Sequence, residues 1–226
     1  MELTKQELAK YIDHTNLKPG ATRADVAALC AEAKEYGFAS VMVNSAHTAL
    51  CRKLVGDEIL VGTVVGFPLG QNTVKVKCFE AVEAVQDGAT DIDYVLNIRD
   101  LRTKPSDAVL EDLTLLKLAP KKVSDEVVTK LIIECCYLTD DEKVLACRLA
   151  KKAGFDFVKT STGFGTGGAT VADVALMRKT VGKTMGVKAA GGIRTLDDAL
   201  KMLAAGANRL GCSAGVEIVE SVSVGR

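Results

Sequence analysis

The chain has 226 residues, 29 basic and 29 acidic side chains, a formal net charge of zero and only two histidines. Its 48% hydrophobic and 26% charged composition is that of a globular protein with a sizeable core, not a disordered one. The balanced charge leaves no footprint for nucleic acid or an anionic membrane surface, and two histidines without an H-E-x-x-H cannot build a three-histidine metal site. No metal and no cofactor is therefore expected.

The first residues, Met1 to Glu7, carry charge where a secretion signal needs an apolar core. The longest uncharged stretch, Ile59 to Val74, is interrupted by Gly66, Pro68 and Gly70, so no membrane span is expected. Seven cysteines without a C-x-x-C pair read as reduced packing residues of a cytoplasmic protein.

In chain order, a weak first strand is predicted around Tyr11 to His14. Thr22-x-x-Asp25 then has the spacing of a capping box, in which a hydroxyl accepts a first-turn N–H and an acid favours the positive end of the helix. That helix stops at Gly37, and the apolar run Phe38 to Val43 reads as a strand. Ile59 to Val65 is the next strand, followed by a helix ending at Gly88 and a strand over Ile92 to Leu96. Lys117 to Glu126 is the most irregular charged stretch and is expected to be a surface connection.

Lys130 to Ile133 is the fifth run, followed by the Thr139-x-x-Glu142 helix, which stops at Gly154. Phe155 to Val158, the Thr170-x-x-Asp173 helix, Met185 to Ala189, the Thr195-x-x-Asp198 helix and Asn208 to Gly211 complete the pattern. Short β-branched runs of this kind suit strands of a parallel sheet. Eight such units over 226 residues give about 28 residues each, which fits a single (β/α)8 barrel of the TIM type spanning residues 1–226. A doubly wound open sheet is the alternative with the same alternation.

In a barrel, polar groups at the C-terminal ends of strands face the active site. Here they are Asp13, Asn44, Asp93, Lys159 and Lys188. A free lysine, with a pKa of about 10.4, is protonated and non-nucleophilic at neutral pH. Two lysines on consecutive strands disfavour each other's protonation, and burial acts in the same direction. Lowering one by about 3 pH units, at a cost of about 4 kcal/mol, enlarges the neutral amine population about a thousandfold. Such an amine can form a Schiff base with a carbonyl substrate, and an interior Asp93 could relay the protons. The alternative is that the lysines serve only as ion-pair partners of Asp13 or Asp93.

Three glycine-rich turns follow the last three strands, at Gly163 to Gly168, Gly191-Gly192 and Gly211 to Gly215. With Ser213 they suit a phosphate. Gly163, Gly165 and Gly168 also match G-x-G-x-x-G, which leaves an NAD-dependent oxidoreductase open, although the turn lies late in the chain and Lys183 and Lys188 follow where an acid is usual. A non-catalytic phosphosugar-binding module is a third reading.

The segments Gly66-Phe-Pro-Leu-Gly70, Asp91-Ile-Asp-Tyr-Val-Leu-Asn97, Phe157 to Thr170 and Gly186-Val-Lys-Ala-Ala-Gly-Gly-Ile-Arg194 together resemble the deoxyribose-phosphate aldolase family, over nearly the whole chain. The resemblance implies a metal-independent class I aldolase acting in deoxyribose phosphate and nucleoside catabolism. Its reaction would be the reversible cleavage of 2-deoxy-D-ribose 5-phosphate into D-glyceraldehyde 3-phosphate and acetaldehyde. It implies Lys159 as the Schiff-base lysine, Lys188 as the neighbour that lowers its pKa, Asp93 as the proton-relay acid and Asp13 as the acid orienting Lys188. Gly163, Gly192 and Ser213 fall in turns that hold the phosphate, with Gly191, Gly211 and Asn44 as further substrate contacts. A homodimer or higher homo-oligomer is implied by the likeness alone. Three departures stand out. Met42 occupies a position where some relatives carry cysteine, Arg99 replaces a more familiar glycine, and Ser221 to Arg226 lacks the C-terminal tyrosine many members use in proton transfer.

Overall fold

In a computed structural model describing residues 3–222, eight parallel strands close into a barrel in the order of the sequence. They are β1 (Ile12–Asn16), β2 (Ser40–Val43), β3 (Leu60–Val65), β4 (Asp91–Val95), β5 (Val128–Ile132), β6 (Phe157–Lys159), β7 (Gly186–Ala190) and β8 (Arg209–Cys212). Closure is made by β1 against β8, with Asp13 opposite Gly211. The open-sheet alternative is thereby excluded.

Helices α1 (Lys5–Ala9), α2 (Arg23–Tyr36), α3 (Thr48–Val55), α4 (Val74–Gln86) and α5 (Ile98–Thr103) accompany the first half. Helices α6 (Ser106–Leu118), α7 (Asp140–Lys152), α8 (Val171–Val181), α9 (Leu196–Ala204) and α10 (Gly215–Glu220) accompany the second. At Thr22, Thr139 and Thr195 the predicted capping boxes form in both directions. At Thr170 the Asp173 N–H donates to the hydroxyl at 3.0 Å and the hydroxyl donates to Asp173 Oδ2 at 2.8 Å, but the return bond from the Thr170 N–H does not form. The other carboxylate oxygen pairs with Lys143 of α7 at 2.6 Å. Gly37 caps α2 in the left-handed conformation, at φ 66°, which L side chains rarely adopt.

Alternation along each strand divides the molecule into two environments. One set, including Ile12, Val41, Val61, Ile92, Leu131, Val158, Val187 and Leu210, packs with the helices in the main core. The opposite set faces the barrel interior, and it is charged: Asp13, Asp91, Asp93, Lys130, Lys159 and Lys188 are all buried. The strands are thus buried on both faces, with Met42, Val64 and Ile132 as apolar members of an inner face that is otherwise largely charged.

The floor of the interior is filled by Phe157, with the cations of Lys130 and Arg209 at 5.7 and 6.0 Å from its ring centre. Gly186 on the neighbouring strand makes room for that ring, since a Cβ there would lie 2.2 Å from it. Gly186→Ala is expected to cost about 1–3 kcal/mol by overpacking, read as a lower Tm. An unchanged Tm would show that the floor can yield.

One boundary differs from the sequence reading. The expected surface connection does not begin at Lys117, because α6 continues to Leu118 and Lys117 is buried. Its ammonium donates to Asp156 at 2.6 Å and to Thr129 at 2.9 Å, tying α6 to the starts of β5 and β6. Only the segment after it, through a short 3-10 turn at Pro120–Lys122, is irregular. No helix among the described residues is long and apolar enough to cross a membrane.

Candidate active site

Strand order brings Asp93, Lys159, Lys188 and Asp13 together. Lys159 and Lys188 are directly opposite each other across β6 and β7. Asp93 Oδ2 accepts from both ammonium groups, at 2.8 Å from Lys159 and 2.9 Å from Lys188. Lys188 also pairs with Asp13 Oδ2 at 2.5 Å. The other Asp13 oxygen accepts from Ser40 Oγ at 2.7 Å and from Arg209 at 2.9 Å.

Two cations of this network escaped the sequence reading. Lys130 contacts Asp91 and lies 3.3 Å from Asp93 Oδ1, and Arg209 holds Asp13. The interior therefore contains Lys130, Lys159, Lys188 and Arg209 against Asp13, Asp91 and Asp93. Four potential cations face three carboxylates. Full neutralisation requires one lysine to give up its proton, and burial of an unbalanced charge makes that requirement strong.

The lysine whose pKa falls is Lys159. Burial, reinforced by the nearby Lys188 charge and opposed by Asp93, pushes its pKa down to about 8. Burial would raise Asp93, but the charges of Lys159, Lys188 and Lys130 outweigh it and hold the carboxyl well below its ordinary value. Burial would lower Lys130, yet Asp91 and Asp93 hold it above the ordinary lysine value. Desolvation is thus the leading cause for Lys159, with lysine–lysine repulsion second.

Lys159 is also the member of the network that opens on a cavity. It lines a cavity of about 460 Å³ at the C-terminal ends of β1, β6, β7 and β8, while Lys188, Asp13 and Asp93 lie beneath it. That volume falls in the range of small-molecule sites. Gly163, Gly191, Gly192, Gly211 and Ser213 all line it, as the sequence reading expected. Two exposed cations at its rim, Lys18 and Arg194, were not anticipated. Asn44 does not line the cavity; its side-chain amide donates to the Leu17 carbonyl at 3.2 Å, and Leu17 does line it.

The glycine pattern of the β6–α8 turn is accounted for by packing. A Cβ on Gly168 would lie 2.2 Å from the Gly191 carbonyl oxygen, and one on Gly165 would meet Cys136 and Glu134. Ala169 donates its N–H to the carbonyls of Ala190 and Gly191, so the turns after β6 and β7 are joined backbone to backbone. Two of the three G-x-G-x-x-G glycines thus accommodate neighbouring turns. The departures from the resemblance also have places. Met42 is fully buried with Leu17, Val64 and Phe67. Arg99 sits on α5, bonded to Asp100 at 2.8 Å and facing a separate 260 Å³ cavity. The chain's last residues, 223–226, lie outside the described residues.

The smaller cavity also contains a buried lysine, Lys77, which burial pushes down to about 8. Its Nζ donates to the Val95 carbonyl at 2.7 Å, so its partner has no proton to exchange. A nucleophilic amine beside a carboxylate, opening on a cavity with glycine turns, is found at Lys159.

A charged-interior barrel with a cavity-facing lysine is the architecture of a Schiff-base aldolase, and the chain belongs to the DeoC/LacD family of aldolases, whose pattern matches residues 8–221. Among its relatives, the deoxyribose-phosphate aldolase of Thermoanaerobacter sp. (strain X514) is 56% identical over 214 residues, covering 94% of this chain and 96% of the relative. The enzyme of that name from Thermococcus kodakarensis is 54% identical, covering 96% and 98%. Among solved structures, the tetrameric deoxyribose phosphate aldolase of Aeropyrum pernix superposes with a TM-score of 0.88 at 35% identity, covering 96% of this chain and 92% of that one. The NAD-dependent reading of the Gly163 turn has no support from these relatives.

Proposed function

We propose that the chain is a class I aldolase that reversibly cleaves 2-deoxy-D-ribose 5-phosphate to D-glyceraldehyde 3-phosphate and acetaldehyde, with Lys159 as the Schiff-base lysine. The observation that carries the assignment is the excess interior cation. Of the three buried lysines and half-buried Arg209 that face three carboxylates, the one with the lowered pKa is also the one open to the cavity.

Neutral Lys159 attacks the aldehyde carbon of the open-chain sugar. Asp93, kept ionised by its cationic neighbours, accepts and returns protons with water as the carbinolamine forms and loses water. Removal of the proton from the 3-hydroxyl then breaks the C2–C3 bond. The electron pair flows into the iminium, releasing glyceraldehyde 3-phosphate and leaving an enamine on Lys159. Protonation at C2 and hydrolysis release acetaldehyde and restore the amine. Lys188 lowers the pKa of Lys159 and so enlarges its neutral fraction, and Asp13 orients Lys188.

The turns at Gly163, Gly191, Gly192, Gly211 and Ser213 receive the phosphate, with Lys18 and Arg194 adding positive charge at the rim. Asn44 acts through Leu17. The enzyme works in the cytoplasm as a homo-oligomer, readings supported by its seven unpaired cysteines and by the tetrameric relative.

Incubation with acetaldehyde and borohydride is expected to add an ethyl group at Lys159, and deoxyribose 5-phosphate to release acetaldehyde equally with and without chelator. An adduct confined to another residue removes Lys159 from its role. Tight sugar binding without acetaldehyde release selects a binding module instead.

A further inference from the structure

The turn after β6 is braced by a side chain that does not itself line the cavity. Glu134, just beyond β5, has a φ of 56°, the one positive value at a non-glycine residue among those described. Glycine would take this conformation without strain, and a larger residue persists there only where its surroundings hold it. What Glu134 adds is a carboxylate, and that carboxylate is buried, with the residue 4% exposed.

Its contacts converge on the next turn. Both oxygens accept from the Thr162 N–H, at 3.2 and 3.3 Å, and Oε2 also accepts from the Thr162 hydroxyl. The hydroxyl oxygen in turn accepts from the Phe164 N–H at 3.0 Å. Carboxylate, hydroxyl and amide therefore form a chain around Gly163, whose φ is 86°. Beyond it, Gly165 packs against the carboxylate so closely that a Cβ would lie 3.3 Å from Oε2. Phe164 is held from the other side by Phe67, edge-on at 5.3 Å. Thr162, Gly163 and Phe164 all line the cavity containing Lys159, and Glu134 does not.

We infer that Glu134 is a positioning residue for the substrate phosphate: its carboxylate holds the Thr162–Gly163–Phe164 turn in the shape that receives the phosphate, without touching the substrate. The inference rests on the phosphate reading of that turn. Charge-assisted bonds to a buried carboxylate are the stronger kind, so their loss should be felt at the turn they fix.

The test compares 2-deoxyribose 5-phosphate with unphosphorylated 2-deoxyribose, and uses inorganic phosphate as a competing ligand. In Glu134→Ala, KM for the phosphorylated sugar and the inhibition constant of phosphate should both rise about tenfold or more. The kcat for that sugar, and kcat/KM for the unphosphorylated one, should stay within about threefold. Glu134→Gln, which keeps an acceptor of the same shape, should recover part of the loss. If Glu134→Ala does not fold, Thr162→Val breaks the same chain from the other side and should raise the same two constants. An equal loss on both sugars, or unchanged constants for phosphate and phosphosugar, overturns the inference. A wild-type enzyme with no preference for the phosphorylated sugar would instead overturn the phosphate reading beneath it.

Discussion

Lys188→Met should shift the rising limb of the kcat/KM profile to higher pH by about one pH unit or more, while activity returns in alkaline buffer. Lys188 faces Lys159 and lowers its pKa, and it shares Asp93 with it. With Lys188 gone, three cations would face three carboxylates, and protonated Lys159 becomes the charge that completes the balance. Its pKa then rises from about 8 toward the ordinary lysine value. The neutral form is the nucleophile, so each added pH unit costs about tenfold in reactive amine below the new pKa. Removing one partner from a buried ion network should also destabilise the fold by about 3–5 kcal/mol. Kinetics at several pH values and a thermal melt separate the two effects. A folded variant whose limb stays near its wild-type position would show that Lys188 does not control Lys159.

Asp93→Asn should move the same limb in the opposite direction. Four cations would then face two carboxylates, which favours loss of the Lys159 proton still further. Schiff-base trapping by acetaldehyde and borohydride should therefore persist at lower pH than in the wild type. Turnover nevertheless falls, by about 10²–10⁴-fold, because the group that exchanges protons with the carbinolamine is missing. A variant that both traps and turns over normally would remove Asp93 from the proton path. The opposed movements matter because a general loss of structure would not send two limbs in different directions.

Much of this site was legible in the sequence, for physical reasons that apply to particular residues. Lys159 and Lys188 stood out because a lysine inside an apolar strand needs an explanation, and consecutive strands of a barrel are neighbours. The Thr22, Thr139 and Thr195 caps could be read because each rests on contacts within a few residues, and the strands because short β-branched apolar runs mark them. Lys130 was hidden because it opens its apolar run, where a charge resembles an ordinary solvent-facing edge. Arg209 was hidden because it lies second in its run, beside the polar Asn208. Pairing of β4 with β5, which sets Asp93 beside Lys130, and closure of β1 on β8, which sets Asp13 beside the strand of Arg209, show that both cations point inward. Glu134 was missed because its partners lie 28 residues later and meet it only through the pairing of neighbouring turns. Asn44 was overread: strand-end position indicates which rim a residue occupies, but not whether its side chain turns toward the cavity or toward Leu17.

The charges inside the barrel are segregated along the chain. All three interior carboxylates lie on β1 and β4, and all four cations lie on β5 to β8. A separately closed amino-terminal half would bury only like negative charges, and a carboxy-terminal half only like positive ones. Neither is a stable resting point during folding, because isolated buried charges are expensive and crowded like charges more so. The two halves are instead drawn together, each supplying the counterions of the other: β5, β6 and β7 bring three lysines to three carboxylates, and β8 brings Arg209, the surplus cation that favours loss of a proton from Lys159. The same residues that set the reactivity of Lys159 thus also favour joint assembly of the two halves.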